Sequence, residues 1–512
     1  MNRQHPPLSG VTLALVTVSL ALATFMNVLD TTIANVSIPA IAGALSVTPT
    51  QGTWIITSYA VCSAVMLPLT GWLAKRFGEV RMFIACTLLF SVASLLCGMA
   101  PTFEALTFFR ALQGGVAGPM IPLSQTLLLK AYPKEKHGLA LALWGMTTVV
   151  APIVGPILGG YLTDNVGWSW IFYINVPVGF VCAYVSWRLL KERESAKVDF
   201  PVDLVGLGLM VVGVVSLQMA LDWGSEVDWF DSSLVTSLVA VAVVTLTFFF
   251  AWERHEPHPV VDLTLFANRN FTVATVAISV GYMAFFSAVV IFPLWLQTQM
   301  GYTATWAGVV SAPIGVLTII FMPIVGANLH RLDLRIIVTF GFVVFAATMY
   351  WHTLFTTDVT AWDVAKPRLL QGLGMACFFV PLTGMALSGM PPERFASASG
   401  MTNFLRMLGG SFGASLTITL WDHRISTHHA SLAENLSAYD RSAPAVLDAM
   451  TGAGLSPEGA LTLLDRIVGK QAVMLATNDV FLVGAAIFLC LAGFVWLARP
   501  PFAPARGATE KR

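Results

Sequence analysis

Few side chains in this sequence could carry a charge or a proton where water is scarce, and those few set the chemistry open to it. Asp30 lies in the stretch TFMNVLDTTIANVSIP, Thr24 to Pro39, at the far end of the first long apolar run. Three arginines, Arg110, Arg368 and Arg406, fall inside later apolar runs. An ionised side chain at the centre of a membrane helix costs about 2.5–3.5 kcal/mol, so each of these marks function by default. A carboxylate beside a guanidinium favours its charged form, whereas burial without that partner favours the neutral acid. A site that brings an arginine near in one state and withdraws it in another can therefore load and release a proton. Asp30 with Arg110 is the candidate pair, because both lie toward the outer part of their spans. The plainer alternative is a pair that only locks two helices together.

Other chemistries find little support. Glu104, Asp164, Asp203, Asp222, Glu253, Asp363 and Asp479 sit at span ends, where water can reach them. There is no G-x-x-x-x-G-K-[ST] to cradle nucleotide phosphates and no H-E-x-x-H for zinc. All six cysteines (Cys62, Cys86, Cys97, Cys182, Cys377, Cys490) fall within apolar runs, which argues against a disulfide framework and gives no metal-ligand spacing. His423, His428 and His429 cluster outside those runs and read as surface histidines more readily than as metal ligands. No nucleophile–base pair appears, so no enzyme, no cofactor, no metal and no nucleic-acid partner are expected. The remaining energy source is an ion gradient, worth about 2.3 kcal/mol per charge per 100 mV.

The elements that must position these groups are membrane helices. The chain has 512 residues, 56% hydrophobic and only 11% charged, against about a quarter charged in a soluble protein. Apolar runs of roughly 20 residues recur from end to end, the length that crosses a bilayer. We read fourteen spans: 11–33, 53–73, 82–100, 105–129, 139–162, 168–189, 203–221, 234–253, 270–293, 305–327, 336–356, 366–389, 395–420 and 479–498. Lys and Arg concentrate in alternate connections, around Lys75–Arg81, Lys130–Lys136, Arg188–Lys197, Arg254–Arg269, Arg331–Arg335 and Arg394. By the positive-inside rule these face the cytoplasm, and both termini join them. The expected location is the cell inner membrane, multi-pass.

RALQGG at Arg110–Gly115 returns as RLLQGL at Arg368–Leu373, and YPKEK at Tyr132–Lys136 returns at the same spacing as MPPER at Met390–Arg394. Such repeats are typical of secondary transporters that rock one half against the other. The chain divides accordingly into an N-terminal six-helix bundle (1–190), a linker with two inserted helices (191–269), a C-terminal six-helix bundle (270–498) and a cytoplasmic tail (499–512). Within the second bundle, 421–478 is the only sizeable loop and falls outside. SPEGALTLLDRIVGKQAVMLATND reads as an amphipathic helix with Ser456 as N-cap, in a helical hairpin that is either a solvated cap or a docking surface.

Two further stretches bear on motion. APIVGPILGG at Ala151–Gly160 holds Pro152, Gly155, Pro156, Gly159 and Gly160, which suits a kinked, closely packed helix. GWLAKRFGEVR, with Gly71, Arg76, Gly78 and Arg81, is a tight basic turn that serves topology or a latch between helices.

Together these stretches resemble the fourteen-span drug:proton antiporters of the major facilitator superfamily, in particular the EmrB-like group with its FarB-type relatives. LDTTIANVSIP (Leu29–Pro39) is similar to that group's first-span motif, GWLAKRFGEVR to the loop motif after span two, and RALQGG to the span-four motif whose arginine is linked to proton transfer. GPILGG (Gly155–Gly160) resembles the span-five antiporter motif, and WSWIFYINVPVG (Trp168–Gly179) the start of span six. One departure is Lys75, which stands where the wider family usually has an acid before its arginine. The resemblance implies a major facilitator fold with two inserted central helices, proton-coupled export, and assembly with a periplasmic adaptor of the EmrA type and an outer-membrane channel.

Three arginines against one aspartate make the membrane interior net positive, which points to hydrophobic neutral or anionic substrates such as fatty acids, uncouplers or acidic drugs. The expected substrate pathway draws on Phe25, Met26, Asn27, Asn35, Gln113, Met120, Gln371, Arg368 and Arg406, with Trp54, Tyr59, Phe378 and Phe379 as further apolar wall. A proton-coupled importer on the same fold, or a membrane receptor or scaffold without turnover, remain the alternatives.

Overall fold

The computed structural model describes residues 6–197, 203–224, 227, 229–257, 259–434, 436, 442–500 and 502. The N-terminal Arg3 and the tail beyond 502 therefore lie outside the described residues. Helices α1 (Gly10–Ala44), α2 (Pro49–Gly52), α3 (Trp54–Phe77), α4 (Glu79–Gly98), α5 (Phe103–Ala131), α6 (His137–Asn165), α7 (Trp170–Tyr173) and α8 (Asn175–Leu190) make the first set. An inserted pair follows, α9 (Leu204–Gly224) and α10 (Ser233–Glu253). The second set is α11 (Arg269–Thr298), α12 (Ala304–Ser311), α13 (Ile314–Asn328), α14 (Leu334–His352), α15 (Ala361–Leu387), α16 (Phe395–Glu434), α17 (Ser442–Gly452) and α18 (Pro457–Phe494).

Twelve helices among the described residues are long and apolar enough to cross a membrane. Helices α5 and α16 are not among them. They are long, but they carry the polar residues that face inward: Arg110, Gln113 and Gln125 on α5, and Ser399, Asn403 and Arg406 on α16. The expected count of fourteen spans thus stands at twelve by length and composition.

The two sets pack alike. In the first, α1 lies on α6, α3 on α5, and α4 on α5 and α8; in the second, α11 lies on α16, α13 on α15, and α14 on α15 and α18. Across the interface α6 meets α13, and α16 meets α3 and α5. The inserted helices pair with each other, and α9 leans on both α3 and α16. Its Trp223 meets Trp54 edge-on at 4.9 Å, while Gln218 donates to Ser411 at 2.9 Å.

Local chemistry explains several helix ends. Thr102 accepts from the backbone N–H of Ala105 to start α5, and Thr360 with Asp363 forms a capping box at α15. Ser456 accepts from Gly459 with Pro457 in the first turn, as its sequence suggests. The segment 421–478 is nevertheless not a separate loop. Helix α16 runs unbroken to Glu434, and α18 runs unbroken from Pro457 to Phe494. Each exceeds roughly 50 Å at 1.5 Å per residue, so the hairpin is an outward continuation of two core helices. Asp479 clamps its base, in an ion pair with Arg424 at 3.0 Å and a hydrogen bond with His428 at 2.8 Å.

Two acids expected at watery span ends are instead buried. Asp203 caps the first turn of α9 and accepts from the Trp252 indole, and Glu253 lies beside it at the end of α10. The pairing of α9 with α10 sets the start of one beside the end of the other, where both carboxylates are buried.

Candidate functional site

Asp30 and Arg110 meet in the interior of the first set. The Arg110 Nη1 donates to Asp30 Oδ2 at 2.5 Å, and both side chains are fully buried. Two further donors converge on Asp30 Oδ1, Gln113 Nε2 at 3.1 Å and Asn175 Nδ2 at 2.7 Å. An oxygen set that accepts from three N–H groups suits an ionised carboxylate, which can only accept. Asp30 comes from α1, Arg110 and Gln113 from α5, and Asn175 from the start of α8, so the site exists only where three helices cross.

Arg110 has anchors besides the carboxylate. Its Nε donates to the carbonyl of Ile55 at 3.1 Å, Nη1 also reaches Gln113 Oε1 at 2.7 Å, and the Tyr59 ring lies 4.3 Å away. The guanidinium is therefore held by more than the carboxylate alone. Gly155 and Gly159 of α6 press directly on Thr32 and Ile33 of α1, so a turn just beyond Asp30 is packed against the Gly/Pro helix. Pro152 is exposed, Pro156 half-buried, and Gly160 faces open space.

A ladder of polar groups descends the same face of α1 at helical spacing. Asn27 accepts from the Tyr59 hydroxyl at 3.0 Å and donates to the Ala117 carbonyl at 2.8 Å. Thr24 meets Ser124 at 2.7 Å, and both take the Trp144 indole N–H, at 3.2 and 2.9 Å. Trp144 in turn stacks on Phe379 of the second set, centroids 6.0 Å apart.

That stack walls a small cavity between the two sets, whose polar lining includes Gln125, Ser399, Asn403 and Arg406. Ser399 donates to Gln125 across the interface. Arg406 donates to Asn403 at 2.9 Å and rests on Tyr282 and Phe379, and it has no ion pair among the described residues. Of the expected pathway residues, Arg406 and Phe379 line this cavity. Met26 and Met120 are buried, Phe25 is half-buried, and Asn35 is exposed. Asn27 and Gln113 serve the ladder and the ion pair instead. Arg368 and Gln371 lie elsewhere, deep in the second set, and Phe378 packs there between Phe342 and Phe345. Trp54 meets the inserted helix.

The sets are locked at the end that carries the basic turn. Gly71 lies so close to Ser397 that a Cβ would collide with it. Beyond it, Gly78 takes φ 95°, and the Glu194 carboxylate fills the concavity this leaves. Glu194 accepts from the backbone N–H groups of Val80 at 3.0 Å and Arg81 at 2.9 Å, capping α4. Glu79 is buried and takes Lys130 through both oxygens at 2.7 Å. Lys75 stands where an acid was expected, yet carboxylates from Glu79 and Glu194 supply the turn with its ion pairs. Arg76 rests on Trp72, and the Arg81 side chain is exposed.

Residues 20–414 match the sequence profile of the Major Facilitator Superfamily. The chain belongs to this superfamily. Its members are transporters and not enzymes. The protein is 48% identical over 506 residues to the multidrug export protein EmrB of Escherichia coli, covering 99% of each chain. It is equally 48% identical over 498 residues to the fatty acid resistance protein FarB of Neisseria gonorrhoeae, covering 97% and 98%. Among solved structures it superposes on the proton:xylose symporter XylE with a TM-score of 0.59 at 11% identity, over 94% of this chain and 95% of that one. The last likeness concerns the fold alone. The superfamily member described here is thus EmrB-like over its whole length.

Tyr59, expected as apolar wall, instead serves through its hydroxyl and its ring. Asn175, Gln125, Ser399 and Asn403 carry no charge, and none stands out in the sequence. The signal for Asn175 was its place within WSWIFYINVPVG; for the others there was none.

Proposed function

We propose that this protein is a proton-coupled efflux transporter of hydrophobic neutral or anionic compounds, fatty acids and acidic drugs among them. The observation that carries the reading is the Asp30–Arg110 pair, fully buried, with a polar ladder running from it to a cavity between the halves. Asp30 is the proton carrier. In the present state Arg110, Gln113 and Asn175 hold it as the carboxylate. A shift of α1 against α5 that separates it from Arg110 favours proton uptake, while Ile55, Gln113 and Tyr59 retain the guanidinium. The ladder through Asn27, Thr24 and Trp144 links that shift to the cavity wall.

Export is supported by the likeness to EmrB and FarB, whose names state multidrug export and fatty acid resistance. The cavity supports the substrate class, because Arg406 offers a guanidinium without a carboxylate partner amid aromatic faces. Helices α5 and α16, enclosed by spanning helices, complete fourteen spans. The halves are 1–190 and 270–498 with an inserted pair between them, both termini are cytoplasmic, and the membrane is the cell inner membrane. The hairpin of α16, α17 and α18 then projects into the periplasm, where it would meet an EmrA-type adaptor leading to an outer-membrane channel.

The test is proton release from reconstituted vesicles on adding a fatty acid or a weak-acid drug, with passive flip-flop subtracted using empty vesicles. Wild type should exchange protons for substrate. Asp30→Asn should bind substrate without coupling, and normal coupling in that variant would sink the proposal. Arg406→Met should weaken carboxylate substrates by about tenfold relative to neutral ones, the loss expected for roughly 1.4 kcal/mol.

A further inference from the structure

The second set keeps the arginine of the first but not its acid. Asp30 lies 80 residues before Arg110, and Ala288 lies 80 residues before Arg368. The correspondence holds in space. Arg110 reaches the Asp30 carboxylate, whereas Arg368 Nη2 reaches only the backbone carbonyl of Ala288, at 3.5 Å. Gln113 and Gln371 occupy the same place one turn on, and Arg368 Nη1 donates to Gln371 Oε1 at 3.0 Å.

Among the described residues nothing negative replaces the missing acid. Arg368 is 4% exposed and takes part in no ion pair among the described residues. Its Nε has no partner, and neither has Nε2 of Gln371, which is fully buried. The Phe292 ring lies 4.2 Å from the guanidinium. On its own helix Asp363 is committed to Lys366 at 3.1 Å. From α14 the ionisable neighbour is His352, whose Nδ1 meets the Thr348 carbonyl and which sits among Phe292, Phe355 and Phe481, adding no negative charge. A buried, uncompensated guanidinium is strongly unfavourable, and its own orphaned Nε–H and the orphaned Gln371 Nε2 beside it add to the cost.

We propose that Arg368 and Gln371 form an anion site within the second half, taking a monovalent anion with the unpaired Arg368 Nε and Gln371 Nε2 as donors. The anion supplies from outside the charge that Asp30 supplies from within. Its chemistry is that of a halide or a single carboxylate, and the two sources, chloride or the head of an exported acid, differ in when the site is filled. The site rests on the geometry around Arg368 and not on the efflux reading.

The experiment is thermal unfolding of the purified full-length protein in detergent, titrated with sodium chloride against sodium gluconate at equal ionic strength, and separately with octanoate below its micellar range. Wild type should gain about 3 °C or more with saturable dependence on chloride or octanoate. A chloride response assigns a resident counter-ion, and a response to octanoate alone assigns a substrate carboxylate. Ala288→Asp places the carboxylate of the first half at the matching position and should abolish the response, as should Arg368→Met. A wild-type midpoint indifferent to both anions overturns the proposal, and so does a response that survives in both variants. Because this reads binding without a proton gradient, a failure here leaves the flux measurement on Asp30 unaffected.

Discussion

Thr24 lies less than two helical turns before Asp30 on α1, and its hydroxyl accepts from the indole N–H of Trp144 at 3.2 Å. Trp144 thus joins α1, the helix that carries Asp30, to the cavity between the halves, whose wall it forms. Trp144→Phe keeps the stack on Phe379 but removes the bonds to Thr24 and Ser124. Two hydroxyls lose a donor, which should cost about 1–3 kcal/mol of stability. Substrate binding should persist while protons moved per substrate fall, as measured by paired flux assays in vesicles.

Arg110→Ala and Asp30→Asn should differ in kind. Removing the arginine strands a buried carboxylate, a loss of about 3–5 kcal/mol, and unfolding in detergent should occur well below the wild-type midpoint. Asn at position 30 leaves the Arg110 guanidinium without its counter-charge. It is nearly isosteric, though, can still accept from Asn175 or Gln113, and leaves Arg110 its bonds to Ile55 and Gln113, so that variant should lose less stability than Arg110→Ala.

The close approach of Gly71 to Ser397 leaves no space for a side chain. Gly71→Val should pry the halves apart at the basic end and favour the opposite conformation. Labelling by a maleimide in a Ser397→Cys background, read by mass spectrometry of that peptide, should rise severalfold when the Gly71 substitution is added. Unchanged labelling would show that this contact does not hold the closed state.

Glu194 caps α4 from the linker between the halves, with both oxygens on backbone N–H groups. Glu194→Ala should destabilise by about 0.5–2 kcal/mol, the range for a lost helix cap. Hydrogen exchange should show the effect confined to the first turn of α4 and the segment after Leu190.

What the sequence determined by itself was the membrane class, the helical runs and the pair at the heart of the site. Asp30 and Arg110 were legible because a charge within an apolar run is costly enough that it must have a reason and a partner. The repeat of RALQGG as RLLQGL was legible for the same reason, since each copy holds an arginine. Tertiary structure decided the rest. An uncharged Asn175, Tyr59 or Gln125 costs little in an apolar run, so nothing in the sequence says which of many such residues finds a partner. Only the crossing of α1, α5 and α8 brings Asn175 to Asp30, and only the apposition of the halves brings Ser399 to Gln125. The same holds in reverse for Glu253 and Asp203, which look solvated along the chain and are buried by its folding back. Hydropathy passes over α5 and α16 because the residues that equip them for the site are the ones that lower their apolar character. And the absence of an acid at Ala288 means nothing until packing sets Arg368 over its carbonyl, because a missing charge is visible only once its place is known.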